Sequence, residues 1–239
     1  GDISRALGLP GMPAEATSTA VAEWVGLADL GARLHLAHIA TERELHAACA
    51  AADRWGDRLT METGPHYLCV TDEAVLRFGA GAKVNPPLRT AADTLALTAA
   101  VREGRMPIIA TDHAPHSPEE KAGGLVSAPF GLTGLETSLA AMVTVLEPDT
   151  PAQWLRLIEM MSTAPARLLG LSGGHLDIGA PADLAIIDPD ATWVVRPGLF
   201  RSKGRATPFA GTQLRARVWA TLVDGRFAYR EGEVLGKAQ

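Results

Sequence analysis

The chain has 239 residues, of which 47% are hydrophobic and 21% charged, the profile of an ordinary globular protein and not of a disordered, fibrous or coiled-coil one. Lys and Arg number 22 against 27 Asp and Glu, a formal charge of −5, and no basic block is present, so nucleic acid and anionic membranes are excluded as main partners. Apolar stretches are broken by Gly, Pro or charge well before the roughly 18 residues of a membrane span.

The two cysteines, Cys49 and Cys69, fit no disulfide framework or metal site, and a cytoplasmic location is expected. Residue 1 is Gly and no signal pattern precedes the first helical segment, so the chain reads as one that begins inside something longer.

Residues 1–14 are rich in Gly and Pro and read as a loop with one helical turn. From Glu15 to Leu30 apolar residues recur at helical spacing, with Gly31 as a stop. Residues 33–40 read as a short buried strand. Thr41 is a good N-cap with Glu44 three positions on, which predicts a helix to about Trp55. A second strand is predicted over Arg58–Glu62, helices near 72–78 and 90–104, and a third strand over Met106–Ala110. Helices at about 132–146, 151–161 and 163–170 complete a first region, 1–171.

From 172 to 239 no long helix remains. Short strands are expected over Ala182–Asp188, Thr192–Val195, Arg215–Asp224 and Arg226–Arg230, forming a small β-sandwich portion. Strand–helix alternation in the first region is the signature of a parallel α/β sheet or barrel. Three βα units are too few to close an eight-stranded barrel and would leave open parallel edges, so the alternatives are a small open sheet or the back part of a larger barrel.

The densest polar cluster is Thr111-Asp112-His113-Ala114-Pro115-His116, directly after an apolar strand. Carboxyl ends of parallel strands are where α/β folds place active sites, and Asp112 there can bind a metal, accept a proton, or do both. A lone Asp-His pair would be read as a turn; two His, an Asp and a Pro in six residues favour a site. His38 ends the first strand, placed to offer a ring nitrogen to a metal, although an isolated histidine there would be read as core. His35, three residues earlier, is expected on the opposite face.

Glu62 and His66, near the end of the second strand, are placed to orient metal-binding groups, with loop packing an equal alternative. In Lys83-Val-Asn-Pro-Pro-Leu-Arg89 the prolines stiffen the backbone around Asn85, whose amide can both donate and accept. Residues 128–134 are expected to open a helix with exposed N–H groups, a place for a carboxylate. Other catalytic templates, H-x-H included, are absent. A catalytic zinc wants at least three protein ligands, and His38 with Asp112 supplies two.

The strings LHLAHIAT, METGPHYL, KVNPPLR, ATDHAPHSPEEK, FGLTGLET and SKGRATPFAGTQLRARVWATLVDGRFAY occur in an order and spacing that resemble those of class I dihydroorotases, which are cyclic amidohydrolases. The similarity runs over essentially the whole chain. DHAPH alone is shared with hydantoinases and allantoinases; the NPPLR loop and the SKxRxTPFxG tail point to dihydroorotase.

The resemblance implies a (β/α)8 barrel, of which this chain supplies about strands six to eight, with part of a β-sandwich. It implies His38 as a metal ligand, Asp112 as metal ligand and general base, and Glu62 as a carboxylate behind the ligands. Asn85, His116, Phe130 and Gly131 become substrate contacts. It also implies one or two zinc ions, dihydroorotate or N-carbamoyl-aspartate as substrate, a homodimer, and association with aspartate transcarbamoylase as an option.

The H-x-H, the strand-four bridge and the strand-five histidine of the family pattern are not in this sequence, so the chain reads as a carboxyl-terminal half, expected to be inactive alone. Tyr67 departs from the second histidine of many relatives. The competing readings are a hydantoinase- or allantoinase-like enzyme, a non-catalytic partner of aspartate transcarbamoylase, and a half that pairs with a separate chain.

Overall fold

Thr41 and Glu44 start the first long helix of the parallel region by capping each other. In a computed structural model, which describes residues 1–236, Glu44 N donates to Thr41 Oγ1 at 3.1 Å. Glu44 Oε2 in turn accepts from Thr41 N at 3.0 Å and Ala40 N at 2.8 Å. This satisfies donors that a helix start otherwise leaves open, and helix Glu42–Trp55 follows as expected. Thr90 and Asp93 build the same device for helix Ala91–Glu103.

Three strands, β1 (Leu34–Leu36), β2 (Leu59–Thr63) and β3 (Ile108–Ile109), lie in the order β1-β2-β3, all parallel. Leu59, Met61 and Thr63 of β2 are buried, alternating with the partly exposed Thr60 and Glu62. Leu45, Ala48, Leu97, Val101 and Met106 complete the core of this region. β1 and β3 are shorter than the predicted 33–40 and 106–110 because each pairs with β2 alone, over three and two positions.

The first amphipathic segment forms helix Ala14–Gly26 and a 3-10 turn over Leu27–Leu30, with Gly31 next at φ 87°. A helix over Pro65–Cys69, which periodicity did not indicate, starts directly behind β2.

The helix expected from 132 begins at Ser138 instead, because the preceding backbone is committed elsewhere. Leu132 O accepts from Ala114 N, Thr133 N donates to Ala206 O, and Gly134 N and Leu135 N both donate to His113 Nδ1. The expectation of exposed N–H groups over 128–134 is therefore corrected.

Two compact units interleave along the chain, Gly1–Ser138 with Arg196–Ala210, and Leu139–Val195 with the segment from Gly211 onward. The expected boundary at 171 falls inside the second unit. In the first unit, Arg201 N and Ser202 N donate to the Glu136 carboxylate, tying the 196–210 segment to the end of the loop after β3.

In the second unit, helix Pro151–Ile158 runs through a π-helical turn, Glu159–Thr163, into Ala164–Leu169. The expected break is absorbed by this widened turn, since Pro165 has no N–H and its ring crowds the carbonyl one turn back.

β4 (Leu184–Val194), β5 (Gln213–Val223), β6 (Arg226–Arg230) and β7 (Glu233–Val234) form one antiparallel sheet in sequential order. The two strands expected over 182–195 are one. Asp188 Oδ1 accepts from Asp190 N and Ala191 N, folding an irregularity into its middle. Among the described residues this portion is one sheet layer, and no helix there is long and apolar enough to cross a membrane.

Candidate active site

Two strand ends deliver the central residues. β1 runs into His38 and β3 into Asp112, and both residues have φ 48°, a left-handed backbone uncommon for side chains other than Asn, Asp or His and costly for most. Asp112 is partly buried, with its side chain 28% exposed, and its Oδ2 lies 3.6 Å from Nε2 of His66. Burial pushes the Asp112 carboxyl above its ordinary range; His38 opposes that shift and the Glu62 charge adds to it.

His66 sits on the short helix behind β2 and is 3% exposed. Burial, and then the nearby His38, pull its pKa down to about 3. The ring is therefore neutral at pH 7, and its approach to Asp112 is not an ion pair. Its Nε2 is buried without a hydrogen-bond partner.

Glu62, the last outward-facing residue of β2, binds His35: Glu62 Oε2 lies 3.0 Å from His35 Nε2, and His35 Nδ1 lies 2.8 Å from Thr60 Oγ1. The register His35↔Thr60 places them on one face. His35 was expected on the face opposite His38. It is exposed, and its ring joins Glu62, which acts electrostatically on Asp112. A cleft of about 370 Å³ lies here, lined among others by Trp24, His35, His38, Glu44 and Pro86.

His116, Phe130 and Gly131 form a second group. His116 Nε2 lies 3.0 Å from Phe130 O, so it carries the proton and donates, while Nδ1 is 3.4 Å from Glu120. Gly131 N donates to Lys83 O at 2.9 Å. Gly131 has φ 136°, and a Cβ there would sit 2.4 Å from Ala114 O, so only glycine lets the loop pass this close. Asn85 is exposed at the head of its loop, and its neighbour Pro86 accepts the Tyr67 hydroxyl at 2.7 Å.

Sequence reasoning passed over two lysines. Lys83 Nζ donates to Ala128 O at 2.5 Å and Val126 O at 3.1 Å and lies 4.6 Å from the Phe130 ring centroid. Buried Lys121 donates to Pro129 O at 2.8 Å and Lys83 O at 3.4 Å. Their signal was present, since Lys83 opens the KVNPPLR string and Lys121 closes SPEEK, but a lysine in a loop ordinarily reads as solvated.

A metal is the group this donor set would hold. His38 and Asp112 offer one imidazole and one carboxylate, both types zinc accepts, and the buried orphan Nε2 of His66 points to polar chemistry at the same place. Among the described residues no group of three His, Cys, Asp or Glu could hold an ion, so these two residues fit part of a coordination sphere.

Residues 7–229 match the model of the Amidohydrolase family, and the chain belongs to that family. It is 44% identical over 232 residues to the dihydroorotase of Pelotomaculum thermopropionicum, covering 97% of this chain and 54% of that protein. To the dihydroorotase of Desulforapulum autotrophicum it is 43% identical, covering 96% and 54%.

Among solved structures, the L-hydantoinase (dihydropyrimidinase) of Arthrobacter aurescens superposes with a TM-score of 0.86 at 31% identity, over 94% of this chain and 51% of that one. The chain thus spans about half the length of the relatives it matches.

Proposed function

We propose that the protein carrying this chain is a zinc-dependent dihydroorotase, and that the chain contributes about strands six to eight of its barrel with part of a small β domain. The observation that carries the reading is that His38 and Asp112 follow the two strands flanking β2, close enough for His38 to act electrostatically on the Asp112 carboxyl. The dihydroorotase relatives, matched over nearly the whole chain, support it.

The reaction is reversible hydrolysis of the ring amide of dihydroorotate. Water adds to the amide carbon, the C–N bond breaks, and N-carbamoyl-L-aspartate results. His38 and Asp112 would hold part of a zinc ion's coordination sphere, and the metal would supply Lewis acidity to the reaction. Asp112 accepts the proton of the attacking water and returns it to the departing ring nitrogen, and the same carboxylate serves ring closure in reverse.

Asn85 and His116 face the polar edge of the substrate, and Lys83 and Lys121 hold the Phe130-Gly131 loop in place. The reading carries with it a cytoplasmic homodimer, with aspartate transcarbamoylase as an association to test.

A second reading, a hydantoinase-type cyclic amidohydrolase, is favoured by the Arthrobacter aurescens structure. The two separate by assaying the whole protein, zinc-loaded, on dihydroorotate, hydantoin and allantoin. Ring opening is expected to be fastest on dihydroorotate, and Asp112→Asn is expected to lose more than the roughly 10²–10⁴-fold of acid–base catalysis alone, because a metal ligand goes too. Near-normal turnover in that variant removes Asp112 from its role.

A further inference from the structure

We infer that His66 is the positioning residue of Asp112, its Nε2–H being the donor that fixes Oδ2 and so sets the orientation of the carboxylate. The inference rests on the reading of Asp112 as the base, and it assigns work to a residue whose burial would otherwise be unexplained.

Three observations carry it. His66 is 3% exposed, its Nε2 has no hydrogen-bond partner, and the carboxylate atom nearby is Asp112 Oδ2 at 3.6 Å. A neutral imidazole has one N–H and one bare lone pair. Turning the lone pair toward a carboxylate sets two electron-rich atoms against each other, so the proton belongs on Nε2.

The ring itself is held. A Cβ on Gly64 would lie 2.5 Å from His66 Cε1, so the ring rests against backbone that only glycine leaves open. Tyr67 packs with its centroid 4.1 Å from the His66 ring, and its hydroxyl is fastened to Pro86 O. The partly exposed Asp112 side chain is the movable partner. At 3.6 Å the contact is too long for a hydrogen bond, and closing it takes a small swing of the carboxylate; contacts of this kind are often long in unliganded sites and tighten in the loaded complex.

Two measurements test this. With histidine ring nitrogens labelled in the chain, nitrogen–proton correlation spectra read the His66 tautomer with no metal or substrate. The expected result is an Nε2–H ring whose Nε2 proton resonance moves in Asp112→Ala. An Nδ1–H ring, or an Nε2 proton indifferent to Asp112→Ala, overturns the inference.

In the whole protein, His66→Gln sets an amide N–H near the place of Nε2, and His66→Leu removes the donor. His66→Leu is expected to lower kcat about 10–100-fold with KM within about twofold, and His66→Gln to restore most of it. Equal losses in both variants, or no loss in either, overturn it. If His66→Leu fails to fold, the Gln variant and the tautomer still decide. If the whole protein opens no dihydroorotate ring, the proposed function fails while the nitrogen spectra still report the contact.

Discussion

His38 and Asp112 share a backbone state that few residues adopt: each follows a strand of the same parallel sheet, and each has φ 48°. Left-handed backbone costs an ordinary side chain about 1–2 kcal/mol, and such strain gathers where a side chain must be aimed. The kink turns both residues out of the strand alternation. At His38, which is exposed, removing the imidazole forfeits little packing, so the strain can be isolated. His38→Gly is expected to be more stable than His38→Ala by about 1 kcal/mol, measured by urea unfolding. Equal stability would mean that the turn carries no strain.

The neutral, buried His66 makes the fold sensitive to acid. Its unfolded pKa is 6.5 and its folded pKa is about 3, so between those values the unfolded chain holds the extra proton. The contribution to stability is fully present above pH 6.5 and is lost as pH falls toward 3, at up to about 1.4 kcal/mol per pH unit. With a chelator present, melting temperatures of His66→Gln are expected to fall less steeply than wild type between pH 6 and 4. Parallel curves would place the acid sensitivity elsewhere.

Gly131 is where the loop after β3 passes the Ala114 carbonyl. Gly131→Ala adds a methyl 2.4 Å from that oxygen at φ 136°, and neither the backbone nor the methyl can give way cheaply. A cost of about 1–3 kcal/mol is expected, together with loss of the His116–Phe130 contact. That loss is read from the His116 ring resonances, which would stay unchanged if the loop tolerated the methyl.

Much of this was legible in the sequence because it is local chemistry. The Thr41–Glu44 cap and the left-handed Gly31 follow from residue types a few positions apart, and the apolar run before Asp112 marks a strand end without any tertiary knowledge. His35 lies exposed, and only its pairing with Glu62 needed knowledge of the neighbouring strand. The start of the helix at Ser138 was not legible. The N–H groups of Gly134 and Leu135 are spent on His113, a partner 21 and 22 residues away that no local pattern reveals. The His66–Asp112 approach is hidden in the same way, since it depends on which strands become neighbours.

Lys121 offers the sharpest test of how the Phe130-Gly131 loop is held. Its partly buried ammonium donates to Pro129 O and Lys83 O, while burial, and then Lys83, push its pKa below the usual lysine range. Lys121→Met keeps the apolar stem, relieves repulsion with Lys83, and strands the Pro129 carbonyl. A hydrogen bond to a charged group is worth about 1.5–3 kcal/mol, whereas the relief between two partly solvated cations is smaller, so a net loss of about 1–2 kcal/mol is expected in urea unfolding. Because Gly131 N donates to Lys83 O, the carbonyl that Lys121 also grips, exchange of the Gly131 amide proton is expected to quicken in the variant. An exchange rate equal to wild type would show that Lys83, through Val126 O and Ala128 O, holds the loop by itself.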